Sequence, residues 1–551
     1  MRWVLFFWAM RGFAIFNLTW GMPALNLDSN PPIGDTDSNA SIALDAKGNA
    51  IASWSRTTEA AASEKIWVTL YNHSLRTWTG AVQVSKEGAA ANSQVAMDPL
   101  GNAMIVWEEG FPSRIKYRIL SKEGVWTPDL SMPACDVYPS IHAQTYPQIA
   151  IDSSNRTIVV WMELIRGKEQ VMSSVNFQGS LWVHFGNISS GEKSALLIPQ
   201  KSLALNNSSG MAMAVWEERD RETSEIHAAQ FTGGIWMPSF PVANIPGEEA
   251  CSPSVAIDHE GNVVVVWSQN HQIRSKILQN GQLSEENSTL SHPNYTAIHP
   301  HVGIDGNGNA IVVYERMDTM HKFISGAFLP KGAANWSHPI DISSPSPIDA
   351  MVAGYPVLSV NEIGDAVVIW KEFTDGHIVI QGAGYSLGTW SNTKTLSSLT
   401  GNSGSKIPAY DSSVVLNNNG TILAIWPEDP AGTGSFQIKS TAGVGLAAIG
   451  PLPPVAHPDT YILGGIASGK QIRHRFPAHE DLINVLTWTS PAEVYRFHIY
   501  RENLSTLIAS VDTHFYEDHQ RTPKEPVKYL ITSVNAYGQE SCPMTLVVPP
   551  L

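Results

Sequence analysis

Apolar residues along this chain fall into short runs that return at a nearly fixed period. One unit recurs: an apolar run ending in Asp or Asn, a short turn carrying Gly-Asn, a second apolar run, and a closing aromatic. It reads SIALDAKGNAIASW from Ser41, QVAMDPLGNAMIVW from Gln94, QIAIDSSNRTIVVW from Gln148 and SLALNNSSGMAMAVW from Ser202. It continues as SVAIDHEGNVVVVW from Ser254, HVGIDGNGNAIVVY from His301, VLSVNEIGDAVVIW from Val357 and SVVLNNNGTILAIW from Ser413. The closing aromatics are Trp54, Trp107, Trp161, Trp216, Trp267, Tyr314, Trp370 and Trp426, at a mean interval of about 53 residues. The runs are rich in Val, Ile and Ala on both faces, which predicts strands buried on both sides. In Asp98-Pro99-Leu100-Gly101 the Asp, Pro and Gly take the places a type I turn favours. Gly101 then supplies the left-handed residue of a bulged hairpin, and Asn155 replaces it in the third copy.

A weaker second pattern follows in each unit. A strand such as Ile226–Phe231 leads to a Gly-containing turn, a Trp and a last short strand. These tryptophans are Trp78, Trp126, Trp182, Trp236, Trp336 and Trp390, with Leu283 in the fifth copy. Four strands per unit describe one propeller blade, lettered A to D with A innermost. The eighth unit lacks a D strand, and Pro23–Ser29 resembles the D segment Gly80–Ser85. The expectation is an all-β chain: an eight-bladed β-propeller closed by its N-terminal strand, so that no sheet edge stays open.

The flanks read differently. Met1-Arg2, an apolar run and small residues near Gly21 or Ala24 predict a secretory signal peptide over residues 1–24. The propeller takes 25–450 and the Pro-rich 451–460 is a linker. Over 461–551, LTWTSP around Trp488, YRFHIYREN and the segment VKYLITSVNAYGQES around Tyr529 resemble a fibronectin type III domain. The resemblance implies a β-sandwich that spaces, docks or adheres; the Cys…Trp…Cys pattern of immunoglobulins is absent. The repeat itself is similar to those of bacterial secreted propeller proteins, and its pairing with such a module to envelope proteins of Chlamydia-like bacteria. That resemblance implies no catalytic residues.

Composition narrows the function classes. The net charge of -15 argues against a nucleic-acid partner. Three cysteines are too few for a disulfide framework. No apolar run reaches the ~20 residues of a spanning helix, so no membrane span is expected in the mature chain. It is expected to be a secreted, surface or periplasmic monomer.

Two motifs invite a metal reading and favour a bland one. Asp305-Gly306-Asn307-Gly308-Asn309 resembles half a calcium loop, but Arg316 stands where the closing Glu belongs, and the turn recurs in every unit. His299-Pro300-His301 has no third ligand at suitable spacing. No metal or cofactor is expected, and no catalytic residue is assigned. The constellation that remains lies two residues past each closing aromatic: Arg56, Glu109, Glu163, Glu218, Gln269, Arg316, Glu372 and Glu428. The repeat predicts these at one height on the face shared by the B–C and D–A loops, as a solvated rim or a polar ligand-binding ring around the channel mouth. The function this predicts is a non-catalytic scaffold binding a protein or a glycan. The alternatives are an extracellular glycan-active hydrolase or lyase with a carboxylate pair in the central pocket, and a structural envelope component.

Overall fold

The structure is a computed structural model. It describes residues 19–20 and 25–28, then 34–444 with gaps, of which the longest are 348–353, 404–411 and 430–434, and segments between 455 and 548. Most of the expected linker, save Val455–Ala456, and most of the expected leader lie outside the described residues. The described residues form strands, turns and bends without a helix, so no helix is long and apolar enough to cross a membrane. The chain divides into two units, Met1–Gly445 and Leu446–Leu551.

The first unit holds eight antiparallel sheets in chain order. The A strands are Thr36–Leu44, Ala90–Met97, Gln144–Ile151, a split strand Ser194–Leu196 and Leu203–Leu205, Ala250–Ile257, Thr296–Ile304, Gly354–Val360 and Ser413–Leu416. The B strands are Ala50–Thr57, Ala103–Glu109, Thr157–Ile165, Ala212–Arg219, Val263–Gln269, Ala310–Met317, Ala366–Thr374 and Thr421–Asp429. The C strands run from Glu64–Asn72 in the first sheet to Gln437–Val444 in the eighth.

The repeated turn between A and B explains its own sequence. Asp45 Oδ1 accepts the backbone N–H of Lys47 and of Asn49, each at 2.8 Å, and Oδ2 accepts the Asn49 amide. Gly48, at φ 93°, takes the left-handed position. Asn49 Oδ1 then accepts the N–H of His73, tying this turn to the C–D turn; Asn102 and Asn309 do the same for Lys122 and Lys331. Asp305 makes the same turn bonds as Asp45, so its carboxylate serves the hairpin.

Neighbouring sheets are laced through their A strands. Ser41 Oγ accepts Val95 N, Ser254 Oγ accepts Val302 N, and His301 Nδ1 accepts Leu358 N. His301 is therefore a buried bonding residue between two sheets. Burial, and next to it Lys201, hold its pKa well below the usual histidine value.

The eighth sheet meets the first in the same way as other neighbours meet. Asn417 Nδ2 donates to Asp45 O, and Asp37 N to Phe436 O. Trp78 Nε1 donates to Ser440 Oγ of the eighth sheet, as Trp236 does to Ser173 and Trp336 to Ser275 between other sheets. This cyclic packing of radial sheets is a β-propeller.

The N-terminal segment supplies the outer edge of the eighth sheet. Leu25 and Asn26 pair with Ser440 and Lys439, while Thr19 and Trp20 pair with Val444 and Gly443. Trp20 is buried in a cluster with Val357, Ile369, Leu396 and Trp426. The expected leader, 1–24, thus includes a core residue of the propeller, and the closing segment is longer than Pro23–Ser29. Sequence composition could not separate the two because an apolar leader and an apolar edge strand look alike.

The second unit contains two four-stranded sheets. One pairs Val455–Ala456, Gly469–Arg475 and Phe515–Asp518 with Glu480–Thr489; the other orders Leu507–Val511, Arg496–Arg501, Val527–Val534 and Met544–Val548. Leu486 from the first packs with Phe497, Ile499, Tyr529 and Leu546 from the second, so the sheets share one core. The buried Tyr529 hydroxyl donates to Asp518 Oδ2 at 2.5 Å and accepts from Asn484 Nδ2 at 2.9 Å.

Candidate functional site at the channel mouth

The ring expected two residues past each aromatic is closed to solvent. Side chains i and i+2 on a strand share a face, and here the pair is bonded. Trp107 Nε1 donates to Glu109 Oε2 at 3.0 Å, Trp216 to Glu218 at 2.9 Å, Trp267 to Gln269 at 2.8 Å and Trp426 to Glu428 at 2.9 Å. Trp161 with Glu163 and Trp370 with Glu372 repeat the contact. All of these Glu and Gln residues are buried except Glu372, which is partly exposed and whose carboxyl burial pushes up.

The second task of these residues is to hold the incoming D–A loop. Glu109 accepts Lys86 N, Glu163 accepts Ser140 Oγ, Glu218 accepts Ser190 N and Oγ, and Gln269 donates to Glu248. Arginine cannot accept an indole proton. In the first sheet Arg56 pairs with Asp37 and Asp28, and Trp54 Nε1 has no partner among the described residues. In the sixth, Arg316 pairs with Asp341 and lies 4.0 Å from the Phe323 ring centre. The eight residues are clasps inside the wall, which corrects the expectation of an open ligand-contacting ring.

A different ring lines this end of the channel. In six A strands the register slips by one residue opposite the B-strand aromatic, a β-bulge. The bulged residues are Asn39, Asn92, Tyr146, Ser252, His299 and Tyr355, with Gln200 in the gap of the split fourth strand. All seven have φ between 52° and 62°.

Two bonds from Gln200 and Lys201 show that this ring is central. Gln200 Nε2 in the fourth sheet reaches Ala40 O in the first at 3.3 Å, and Lys201 Nζ reaches Pro300 O in the sixth at 3.3 Å. Contacts between non-adjacent sheets require that these groups cross the channel. Lys201 stands where the other A strands carry Ala40, Ser93, Pro147, Pro253, Pro300, Pro356 and Ser412, all short and buried. It is the one long side chain at that level. Burial pulls its pKa down to about 7, against the pull of Glu315 in the other direction.

Beyond that bar, toward the Asp turns, the channel widens into an open cavity of about 300 Å³ lined by Leu44, Met97, Ile151, Leu205 and Leu416 among others. At the other end, three carboxylates one residue past the aromatic tie the bulges together. Glu108 Oε1 accepts the Asn92 amide and the Tyr146 N–H, each at 2.7 Å. Glu315 Oε2 lies 3.3 Å from His299 Nδ1, and its other oxygen 3.3 Å from Lys322 Nζ. Glu217 is held by the Ser252 N–H. These come from the second, fourth and sixth sheets, where the fixed position carries Glu. Burial raises Glu108 to about 6, despite its two hydrogen bonds, and raises Glu217 as well. His299 stacks on Tyr355 with ring centres 4.4 Å apart.

Sequence reasoning missed the bulge ring because its members share no chemistry. One signal was visible: proline follows the bulge residue at Pro147, Pro253, Pro300 and Pro356, and the residue before proline is driven from the right-handed helical region.

Among known proteins, no family model and no curated protein matches the chain. Solved structures do resemble it. A Dyadobacter fermentans protein of unknown function aligns at TM-score 0.41 and 10% identity, over 77% of this chain and 98% of its own. The Dos1 propeller aligns at 0.43 and 11%, over 78% and 95%. A copper-bound fungal alcohol oxidase aligns at 0.45 and 12%, over 97% and 100%.

Proposed function

We propose that this chain is a non-catalytic binding scaffold: an eight-bladed propeller closed by its own N-terminal segment, joined to a fibronectin type III-like sandwich and acting outside the cytoplasm. Its partner, a protein or a glycan, meets the face formed by the B–C and D–A loops. The observation that carries the reading is the exposed apolar side chains of that face in the second and third sheets. Phe111 is fully exposed, Ile141 is 85% exposed, and Leu164 and Tyr146 are 43% and 41% exposed. The loops bearing them are held from below: Gln144 N donates to Ser113 O, Leu164 N to Ala143 O, and Tyr146 N to Glu108. Ordered loops that present apolar groups to water mark interaction surfaces.

The second reading, a glycan-active hydrolase or lyase, has its support in Glu108, whose raised pKa suits a general acid. A binding screen of the full chain against surface proteins and oligosaccharides tests the first reading. Phe111→Ser with Ile141→Ser is expected to abolish capture, while Leu100→Ser on the turn face leaves it intact. The reverse pattern refutes the assignment of the face, and turnover of a captured oligosaccharide favours the enzyme.

A further inference from the structure

The same protein supplies a control for its seven left-handed bulge residues. Where a left-handed residue serves only the backbone, in the A–B turns, this chain uses glycine in all but the third sheet: Gly48, Gly101, Gly210, Gly261, Gly308, Gly364 and Gly420 have φ between 68° and 99°, and Asn155 takes the place at 59°. At the channel mouth no described bulge position is glycine, although glycine adopts this conformation without steric cost. Asn and His tolerate it; Tyr, Gln and Ser do so less readily, and such strain costs on the order of 1 kcal/mol per residue. The side chains at the mouth therefore answer to something besides the turn of the backbone. Bulges are a known means of aiming a side chain at a site.

The chemistry offered at the mouth is of one kind. The ring carries amides, a hydroxyl, an imidazole and two phenols, and Glu108 and Glu315 are engaged by a bulge N–H and by bulge side chains. Tyr146 presents its ring at the rim, and Tyr355 lies stacked with His299. The side chains of Gln200 and Lys201 reach across the channel beneath the ring. Neutral donors and acceptors set among aromatic faces match a ligand that is itself neutral, rich in hydroxyls and flat on its C–H faces.

We propose that this ring, with Tyr146 and Tyr355 as its aromatic platforms, is a binding site for a neutral glycan. The inference rests on the binding-scaffold reading above and narrows its partner.

The test uses the full chain on a printed array of neutral oligosaccharides, built from hexose, pentose and N-acetylhexosamine units. The wild type is expected to bind at least one of them. Tyr146→Gly and Tyr355→Gly are each expected to lower that binding at least tenfold, with a melting temperature equal to or above wild type, because glycine relieves the left-handed strain. If a glycine variant is unstable, Tyr146→Asn, compatible with the same backbone, should show the same loss, and Tyr146→Phe should retain binding. A blank array overturns the inference; if a protein partner is still captured through Phe111 and Ile141, the scaffold reading survives. Wild-type glycan binding by both glycine variants also overturns it, by placing the site elsewhere.

Discussion

Trp20 offers the sharpest test of how the propeller closes. Its side chain is 4% exposed and packs over Gly382, where a Cβ would come within 3.3 Å of the indole. Burying a tryptophan removes ~150–250 Å² from water, worth about 4–6 kcal/mol at ~25 cal/mol per Å². Truncations of large aromatic residues in cores typically cost about 3–5 kcal/mol. The edge pairing of Thr19 and Trp20 with Val444 and Gly443 adds backbone bonds of about 1 kcal/mol each. Cleavage after Gly21 or Ala24 removes all of this. Two chains should therefore be compared, one beginning at Leu18 and one at Leu25. The shorter is expected to melt several degrees lower and to exchange its amides faster over Thr421–Asp429 and Gln437–Val444. Trp20→Ala in the longer chain should reproduce most of the loss, and Trp20→Phe only part of it. A melting temperature and exchange pattern shared by both chains refutes the reasoning. The account also requires any leader to be cut before Thr19, which the N-terminal residue of the protein purified from expressing cells reports directly.

Further outcomes follow from the buried polar groups. Glu218→Gln keeps an acceptor for Trp216 Nε1, as Gln269 does for Trp267, and should cost under about 1 kcal/mol; Glu218→Ala strands the buried indole N–H and should cost about 2–3 kcal/mol in denaturant unfolding. Lys201 has a folded pKa near 7, below its unfolded value, so the unfolded chain binds more protons between these values. Stability should then rise with pH above 7 by about 1 kcal/mol per pH unit toward 9, and Lys201→Met should remove that slope. Glu108, raised to about 6, contributes with the opposite sign and only at lower pH, so the window above 7 separates it from the lysine. An unchanged slope in the Lys201→Met protein contradicts its burial in the channel.

How much of this was legible in the sequence depended on periodicity. The Asp, Gly and Asn of the A–B turn and the closing aromatics recur at one spacing and each has a fixed local task, so repeat and turn read correctly together. The acidic residues at i+2 recur at one offset, but their burial was not legible. A glutamate two residues from a tryptophan reads alike on an open rim and in a closed clasp. The D–A loops that cover it, at Lys86, Ser140 and Ser190, differ in sequence from sheet to sheet. The three carboxylates that brace the bulges, Glu108, Glu217 and Glu315, leave no repeated signal because their position holds Ser, Met, Lys or Pro in the other units. The bar across the channel was hidden in Gln200-Lys201, just before the fourth repeat begins at Ser202. Only the convergence of the A strands on one axis gives a single lysine there its place.

Hydrogen exchange on the full chain, with and without the oligosaccharide it binds best, tests the central claim most directly. The account predicts protection confined to the mouth, over residues 90–93, 144–147 and 298–301, with the A–B turns at Asp98 and Asp305 unchanged. Protection at those turns, or none at the mouth, contradicts it.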